Sequence, residues 1–379
     1  MKSSLDEQGP AIERLVVSAF AVATDSPEAD GTLSWQRTIL VTVELSSAGE
    51  TALGYTYADR ATASLIVELL AGVVVGQSAW ATARLHHAMR QAVRNLGNDG
   101  VSAMAISAVD VALWDLKARL LNLPLVRLLG EARAAIDIYG SGGFTSYDVS
   151  RLEQQLVGFR EQGISRVKMK VGTEPAADVE RVREVRRALG PAVELFVDAN
   201  GAYSRKQALR LAEAFAEQDV RWFEEPVSSD DLSGLSLLVE RAPACMEIAA
   251  GEYGYRAPYF EAMLAARAVD VLQADATRCG GVTGFLQAAA LCEAHGLQLS
   301  SHCAPALHAH LDCAASCARH LEYFHDHVRV EQLLFEGVPQ PREGKLAPLV
   351  GRPGLGLALR HRESEPFRVF RGERHWERP

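Results

Sequence analysis

Short apolar runs alternate with amphipathic stretches along the chain from Ala135 onward. The eight runs are AIDIYG, SRVKMKV, ELFVDAN, RWFEE, MEIAAGE, DVLQAD, LQLSSH and RHLEYF. Most segments between them place apolar residues at helical spacing, which predicts strands alternating with helices. This alternation favours an α/β fold, a barrel of the TIM (β/α)8 type. An open doubly wound sheet would need a glycine-rich turn that opens a helix, and YGSGGFTSY is not followed by a clear helix start.

Helix boundaries in this region carry recognisable signals. Pro175 suits the first turn of a helix, and Gly190 marks where that helix ends. Ser204 and Gln207 have the spacing of a capping box. Gly296 is expected to end the helix in TGFLQAAALCEAHG.

The first 130 residues do not follow this alternation. IERLVVSAFAV, QRTILVTVELSSAG and GYTYAD read as strands, with a turn at SSAGE, and a helical stretch follows from Ala61 to Leu129, broken at Pro124. Beyond Glu343 the chain is rich in proline and glycine and ends in a basic tail. We therefore predict three parts: an α+β unit at 1–130, a barrel at 131–345 and a segment at 346–379 that packs back on the first unit.

Composition and charge narrow the classes of function. The chain has 379 residues, of which 48% are hydrophobic and 23% charged, as in globular proteins. A net charge of −9 argues against a nucleic-acid partner. No apolar run is long enough to span a membrane, and the N-terminus lacks the apolar core of a signal peptide. Six scattered cysteines without a CxxC pair predict free thiols and a cytoplasmic protein.

Three acids end three consecutive strand-like runs, about one βα unit of roughly 30 residues apart. They are Asp198, Glu224 and Glu252. The carboxyl ends of parallel barrel strands meet at one mouth, where three carboxylates would repel unless a cation neutralised them. Oxygen ligands select Mg²⁺, Mn²⁺ or Ca²⁺. Glu225 offers a second acid in EEP, but alternate strand residues point to opposite faces, so only one of the two is expected at the mouth.

Two lysines lie one unit earlier, in VKMKV. Lys168 and Lys170 share a face of their strand, so each is expected to disfavour protonation of the other and to lower one pKa. A lysine with a pKa of about 7–8 is a competent general base. We predict Lys170 as that base and Lys168 as a charge that stabilises the intermediate.

Asp275 and His302 end the next two runs. A carboxylate that accepts one imidazole N–H fixes the tautomer and raises the basicity of the other nitrogen, which predicts an Asp–His pair. His308 and His310 could suggest a second metal site, but we interpret them as structural residues of a helix or loop. Glu322 ends the eighth run and, if protonated, would donate a hydrogen bond to substrate.

Together these residues predict proton abstraction beside a carboxylate. The metal would hold a small-molecule carboxylate substrate, with Lys170 and His302 flanking its α-carbon. The metal and Lys168 would stabilise the resulting enediolate.

The chain resembles the enolase superfamily and, within it, the mandelate racemase subgroup. VKMKVG is similar to the subgroup's Lys-x-Lys strand, VDAN, WFEEP and GE to its metal-ligand strands, and DATRCGGVTG and SSH to its Asp–His strands. The muconate-lactonizing and dipeptide-epimerase subgroup would place a lysine on the sixth strand, where this chain has Asp275. The resemblance implies a capping domain over the barrel mouth, Mg²⁺ (or Mn²⁺) as cofactor and a homo-oligomer. It also implies substrate contacts for Lys168, Asn200 and Glu322.

Two reactions use the same residues. In dehydration of an acid sugar to a 2-keto-3-deoxy acid, which the resemblance favours, His302 would be the acid that expels the β-hydroxyl. In racemisation or epimerisation of a 2-hydroxy acid, Lys170 and His302 would act on opposite faces. A catalytically silent binding protein is a third hypothesis, which the complete set of site residues disfavours. The segments Asp25–Trp35 and Gly54–Tyr57 would shape substrate choice.

Overall fold

A computed structural model describes residues 9–377 of the chain. Residues 1–8, on which the predicted absence of a signal peptide partly rests, lie outside the described residues. Within the described range, no helix is long and apolar enough to cross a membrane. All six cysteines are free thiols, as predicted.

An antiparallel sheet forms near the N-terminus. Its consecutive strands are β1 (Arg14–Ala29), β2 (Ser34–Ser47) and β3 (Glu50–Tyr57). Ala48 and Gly49 both have positive φ and form the two-residue turn between β2 and β3 that the SSAGE segment predicts.

Five α-helices follow these strands. They are α1 (Arg60–Leu65), continued by a π-helical turn (Ile66–Leu70) into α2 (Ala71–Val74), then α3 (Thr82–Ala92), α4 (Val101–Leu120) and α5 (Leu125–Leu129). Of these, α1 and α4 pack on the sheet. The predicted helical stretch is thus interrupted by two loops, and Pro124 directly precedes α5, as predicted. The long helix α4 packs closely on β3, because a Cβ at Gly54 would lie 2.2 Å from the carbonyl oxygen of Ala108.

Eight parallel strands form a closed barrel, as predicted. They are β4 (Ile136–Gly142), β5 (Arg166–Lys170), β6 (Glu194–Asp198), β7 (Val220–Glu224), β8 (Glu247–Ala250), β9 (Val271–Ala274), β10 (Gln298–Ser301) and β11 (Ala318–Phe324). Strand β11 pairs with β4 and closes the ring. Each strand is followed by one of the helices α6 (Val149–Glu161), α7 (Asp178–Leu189), α8 (Arg205–Ala216), α9 (Leu232–Arg241), α10 (Ala257–Ala265), α11 (Gly281–His295), α12 (Pro305–Ala314) and α13 (His325–Leu334).

The predicted helix signals hold with one correction. Ser204 and Gln207 form the capping box of α8, and Gly190 and Gly296 directly follow α7 and α11. Pro175 does not lie in the first turn of α7, since the helix begins at Asp178. It lies instead in a turn that precedes the helix, where its fixed φ is equally suitable.

The last part of the chain returns to the N-terminal sheet. It contains β12 (Phe335–Glu336), β13 (Lys345–Leu346), β14 (Ala358–Leu359), α14 (His361–Ser364) and β15 (Arg368–His375). Strand β15 pairs antiparallel with β1 and completes a four-stranded sheet. The N-terminal unit and β15 together form a capping domain on the barrel. The exact domain boundaries stay predictions.

An aromatic cluster fills the barrel interior beneath its carboxyl-terminal mouth. Phe196 and Trp222 stack with ring centroids 5.3 Å apart, and Tyr139 packs edge-on against Phe196. All three are buried. The indole N–H of Trp222 donates to Glu224 over 2.9 Å, so this apolar layer supports the polar groups above it.

Candidate active site

The three predicted metal ligands meet at the barrel mouth. Asp198 and Glu224 are the last residues of neighbouring strands and pair in register, and Glu252 follows the end of β8. One carboxylate oxygen from each lies within 4.8 Å of the others. All three residues are buried. The structure therefore brings together the acids that the spacing singled out.

Glycine is required at the turn that presents Glu252. Gly251 has φ +135°, and a Cβ at this position would lie 2.1 Å from the carbonyl oxygen of Gln273. Any other residue would displace the backbone there. Steric constraints thus require the glycine of the GE dipeptide, and the proposed metal site requires its acid.

The donor set fits a hard divalent cation. Oε2 of Glu252 is buried without a hydrogen-bond donor. Burial, and next the negative charge of Asp198, raise the pKa of Glu224 to about 8. A divalent cation would relieve this crowding of like charges, and carboxylate oxygens are the ligands that Mg²⁺ and Mn²⁺ prefer. Glu225 is buried as well, and burial and then the charge of Glu252 raise its pKa.

Lys168 lies beneath the site rather than on its wall. Its ammonium forms an ion pair with Glu224 and lies 2.9 Å from Glu322 and 3.5 Å from Asp198. The side chain is fully buried, and Lys170, but not Lys168, lines the cavity above. Three carboxylates hold its ammonium below the cavity, and the direct contact of Lys168 with substrate stays a prediction.

The expected lowering of a lysine pKa by its neighbour is wrong for this structure. Burial lowers the pKa of Lys170 and Lys168 lowers it further, but the negative charges of Asp198, Glu252 and Glu224 together outweigh both and raise it. The pKa of Lys168 is raised in the same way, since Glu224 and Glu322 outweigh its burial. Sequence neighbours suggested repulsion, whereas the fold surrounds both lysines with acids.

Asp275 and His302 form the predicted pair. Oδ2 of Asp275 lies 2.9 Å from Nδ1 of His302, and its Oδ1 accepts the backbone N–H of Thr277 over 2.7 Å. The carboxylate fixes Nδ1 as the protonated nitrogen, so Nε2 faces Glu252, 3.2 Å from its Oε2. Burial lowers the pKa of His302, but the charges of Glu252 and Glu322 and the hydrogen bond to Asp275 together outweigh burial and raise this pKa.

His308 and His310 are structural, as interpreted. Both lie buried in α12. Nδ1 of His308 donates to the carbonyl oxygen of Cys303, and its Nε2 accepts the backbone N–H of Ala276 over 3.0 Å. His310 bridges backbone groups in the same manner. All four ring nitrogens are used, which leaves none for a metal.

Glu322 and Asn200 line the cavity, and the surroundings of Glu322 disfavour its protonated form. Burial raises the pKa of Glu322, yet the charges of Lys168, His302 and Lys170 together outweigh burial and lower it well below its usual value. Its Oε1 accepts from the hydroxyl of Ser141 over 2.5 Å. Glu322 thus accepts hydrogen bonds within the protein, and its role as a donor to substrate stays a prediction. Oδ1 of Asn200 is buried without a donor and remains available.

The cavity has a volume of about 380 Å³ and lies between the barrel mouth and the capping domain. Sequence reasoning missed several lining residues, among them Arg278, Tyr253, Cys303 and His327. Arg278 donates to the backbone and side chain of Glu252 over 3.1 and 3.2 Å. Arg278, Tyr253 and Cys303 lie in loops without periodicity, whereas His327 lies in α13. Only the motif position of Arg278, shortly after Asp275, gave a signal.

The capping domain contributes the outer wall. The hairpin between β1 and β2 supplies Asp30, Leu33 and Trp35, and the end of β3 supplies Tyr57. Both segments expected to shape substrate choice therefore reach the cavity. Gly31 lets the hairpin dock, because a Cβ there would lie 2.3 Å from the carbonyl oxygen of Ala199, next to Asp198.

Comparisons with known proteins agree with this arrangement. The profile of a family described as "Mandelate racemase / muconate lactonizing enzyme, N-terminal domain" matches residues 15–130, and one described as "Enolase C-terminal domain-like" matches residues 151–364. L-talarate/galactarate dehydratase of Salmonella typhimurium is 31% identical over 365 residues, 93% of this chain and 90% of the relative. The 3,6-anhydro-α-L-galactonate cycloisomerase of Streptomyces coelicolor is 35% identical over 269 residues, 69% of this chain and 74% of the relative.

Solved structures give the same picture. A mandelate racemase/muconate lactonizing enzyme-like protein from Rubrobacter xylanophilus is 52% identical, with a TM-score of 0.93 over 95% of this chain and 100% of that chain. The Salmonella dehydratase, liganded with Mg and L-lyxarohydroxamate, is 28% identical in the superposition. Its TM-score is 0.91, over 100% of this chain and 98% of that chain.

Proposed function

The chain belongs to the mandelate racemase/muconate lactonizing enzyme family of the enolase superfamily, and on that premise we propose that it dehydrates an acid sugar. The reaction is Mg²⁺-dependent abstraction of the α-proton of a carboxylate substrate, followed by loss of the β-hydroxyl. The product is a 2-keto-3-deoxy acid. Dehydratases and a cycloisomerase among its relatives support a lyase or isomerase reaction.

One observation carries the proposal: two proton-transfer groups stand at opposite ends of the acid triad Asp198, Glu224 and Glu252. The ammonium of Lys170 bonds to Asp198. Nε2 of His302 lies 3.2 Å from Glu252 at the other end. A carboxylate held at the triad would therefore have its α-carbon between a lysine and a histidine.

Asp198, Glu224 and Glu252 would hold the cation. When bound, Mg²⁺ would supply positive charge that holds the substrate carboxylate, stabilises charge developing on it and neutralises Asp198, which otherwise raises the pKa of Lys170. Lys170 takes the α-proton as the C–H bond breaks. His302, oriented by Asp275, gives a proton to the β-hydroxyl, which leaves as water. The resulting enol then becomes the 2-keto acid.

The test is a panel of mono- and diacid sugars, incubated with and without Mg²⁺ and assayed for 2-keto acid. We expect product only with Mg²⁺. A Glu252→Gln variant is expected to lose Mg²⁺ binding in calorimetric titration and to make no product. Keto acid formed equally well by the chelated protein would contradict the proposal.

Racemisation or epimerisation of a 2-hydroxy acid is the second candidate, because the same placement of Lys170 and His302 suits a proton transfer on each face. It is distinguished in D₂O. Exchange of the α-proton without formation of keto acid for any acid sugar would replace dehydration by this reaction.

A further inference from the structure

A second cluster of metal-ligating side chains lies beside the acid triad. It consists of His302, Cys303 and Glu322, all buried and all lining the cavity. Sγ of Cys303 lies 3.2 Å from Nε2 of His302 and 3.4 Å from Oε2 of Glu322. The third edge, from Nε2 of His302 to Oε2 of Glu322, measures 3.7 Å. One sulfur, one nitrogen and one oxygen thus form a nearly equilateral triangle, and the proposed reaction uses no thiol.

The triangle has the dimensions of one face of a zinc coordination sphere. Tetrahedral zinc lies about 2.3 Å from sulfur, about 2.0–2.1 Å from imidazole nitrogen and about 2.0–2.2 Å from carboxylate oxygen, which separates its ligand atoms by about 3.4–3.6 Å. The observed edges differ from these separations by only a few tenths of an ångström. The fourth ligand position would open onto the cavity.

The surroundings of each donor leave the required atom available. Asp275 holds Nδ1 of His302, which directs Nε2 toward the cluster, as carboxylates do for zinc-bound histidines. Oε1 of Glu322 is held by Ser141 over 2.5 Å and by Lys168 over 2.9 Å, so Oε2 is the oxygen that faces the thiol. The backbone N–H of Cys303 fixes that Oε2 over 3.0 Å.

The two clusters differ in the cation that they select. The acid triad offers only carboxylate oxygens and suits a hard cation. A thiolate and an imidazole favour zinc, cobalt or copper over magnesium. We propose that His302, Cys303 and Glu322 form a second metal site, which takes Zn²⁺ or another thiophilic divalent cation and inactivates the histidine. Binding displaces the thiol proton to solvent and occupies the lone pair of Nε2, so His302 no longer transfers a proton. The inhibitory half rests on the proposed function, whereas the binding half does not.

Cobalt absorption tests the site without turnover. Mg²⁺-saturated protein is titrated with Co²⁺, whose bond to a thiolate produces a charge-transfer band in the near ultraviolet. We expect a stoichiometric band in the natural chain and in Cys245→Ser, a matched control that removes an exposed thiol. Cys303→Ser and, as a second variant, Cys303→Ala are expected to lack the band. A band that persists in both, or none in the natural chain, would overturn the proposal.

Zinc inhibition tests the consequence. With Mg²⁺ in excess, the Zn²⁺ concentration for half-inhibition should rise at least about tenfold in Cys303→Ser, each variant being compared with its own zinc-free rate. Cys245→Ser should match the natural chain. Equal inhibition of all three proteins that is relieved by more Mg²⁺ would assign zinc to the acid triad and overturn the inhibitory half. Absence of any zinc-free activity would count against the proposed function alone, since the cobalt band reports the site independently.

Discussion

At the scale of single residues, Lys170 and His302 have different partners and different proposed roles. Substitution of each should therefore impair a different step of the reaction. Lys170→Ala removes the group that takes the α-proton, and His302→Asn removes the group that expels the hydroxyl. Each is expected to reduce kcat for keto-acid formation by roughly 10²–10⁴-fold. Exchange of the α-proton in D₂O should be lost in Lys170→Ala but partly retained in His302→Asn.

Mg²⁺ affinity, measured by calorimetry, is the control for both variants, because neither side chain belongs to the acid triad. Near-normal turnover in both variants would eliminate the two-base arrangement. If exchange of the α-proton were lost in His302→Asn but retained in Lys170→Ala, His302 would be the base and Lys170 the acid.

Asp275 is a positioning residue and acts through His302. Asp275→Asn keeps the shape but presents an amide to Nδ1, which favours the wrong imidazole tautomer. We expect kcat to fall by roughly 10²-fold or more while KM changes little. The acid triad, which would hold the cation and through it the substrate carboxylate, is unchanged in this variant. A large rise in KM with unchanged kcat would show instead that Asp275 mainly supports substrate binding.

The acids and the Asp–His pair could be predicted from the sequence because each ends an apolar strand at regular spacing. The direction of the pKa shifts of the two lysines could not be predicted in this way. The chain order shows that Lys168 and Lys170 are neighbours, but only the closed barrel shows that Glu322 lies 2.9 Å from Lys168. Cys303 escaped notice because its proximity to Glu322 is likewise a property of the ring of strands.

At the scale of elements, Asp110 joins the capping domain to the barrel. It lies buried in α4, and its carboxylate accepts the backbone N–H and the hydroxyl of Thr283 over 2.9 and 2.8 Å. Helix α11 begins after Gly280, which has no side chain to cap it. A side chain from the capping domain therefore caps a barrel helix.

Removal of this cap should destabilise the protein. Asp110→Ala leaves the partly buried N–H of Thr283 without an acceptor, so we expect the free energy of unfolding to fall by about 1–3 kcal/mol in urea titrations. Asp110→Asn retains one acceptor oxygen and is the matched control with a smaller loss. Equal losses in the two variants would show that the effect comes from something other than the missing acceptor.

The elements themselves were predictable to different degrees. The barrel strands could be predicted because each is a short apolar run between amphipathic helices. The helical stretch before Leu129 was predicted as one unit, yet loops interrupt it before α3 and α4. The loop before α4 contains Gly97 and Gly100, both with positive φ, so turn residues rather than apolar spacing mark that interruption.

At the scale of the whole molecule, distant parts of the chain complete each other. Strand β15 pairs with β1 from Arg14 opposite His375 onward. A return to the first unit was predicted from the closing segment, but a strand was not, because its side chains alternate weakly and most are exposed. Its contribution is the backbone ladder, which satisfies one edge of β1.

Buried carboxyls outside the active site also link separate parts of the molecule. Glu331 in α13 accepts from the hydroxyl of Tyr55 in β3 over 2.7 Å and from the N–H of Ala306 in α12 over 3.0 Å. Burial raises its pKa to about 8. Burial likewise raises the pKa of Asp312 to about 8. These groups make the stability of the whole fold depend on pH.

The sign of that dependence follows from proton binding. In the unfolded chain Glu331 and Asp312 lose their protons near the ordinary carboxyl values, whereas the folded protein retains them up to about pH 8. Their stabilising contribution is fully present below the ordinary values and is lost as pH rises through the folded pKa. The buried His310, with a pKa lowered from 6.5 to about 4, acts oppositely, but its contribution is constant above pH 6.5.

The free energy of unfolding, measured in urea with Mg²⁺ saturating, should therefore decline between pH 6.5 and 8. Each raised carboxyl contributes at most about 1.4 kcal/mol per pH unit to this slope. Glu331→Gln cannot ionise and keeps an acceptor for Ala306, so its slope should be flatter than that of the natural chain. An unchanged slope in Glu331→Gln would mean that Glu331 is already ionised in the folded protein. The junction of β3, α12 and α13 would then hold a buried charge instead of a neutral acid.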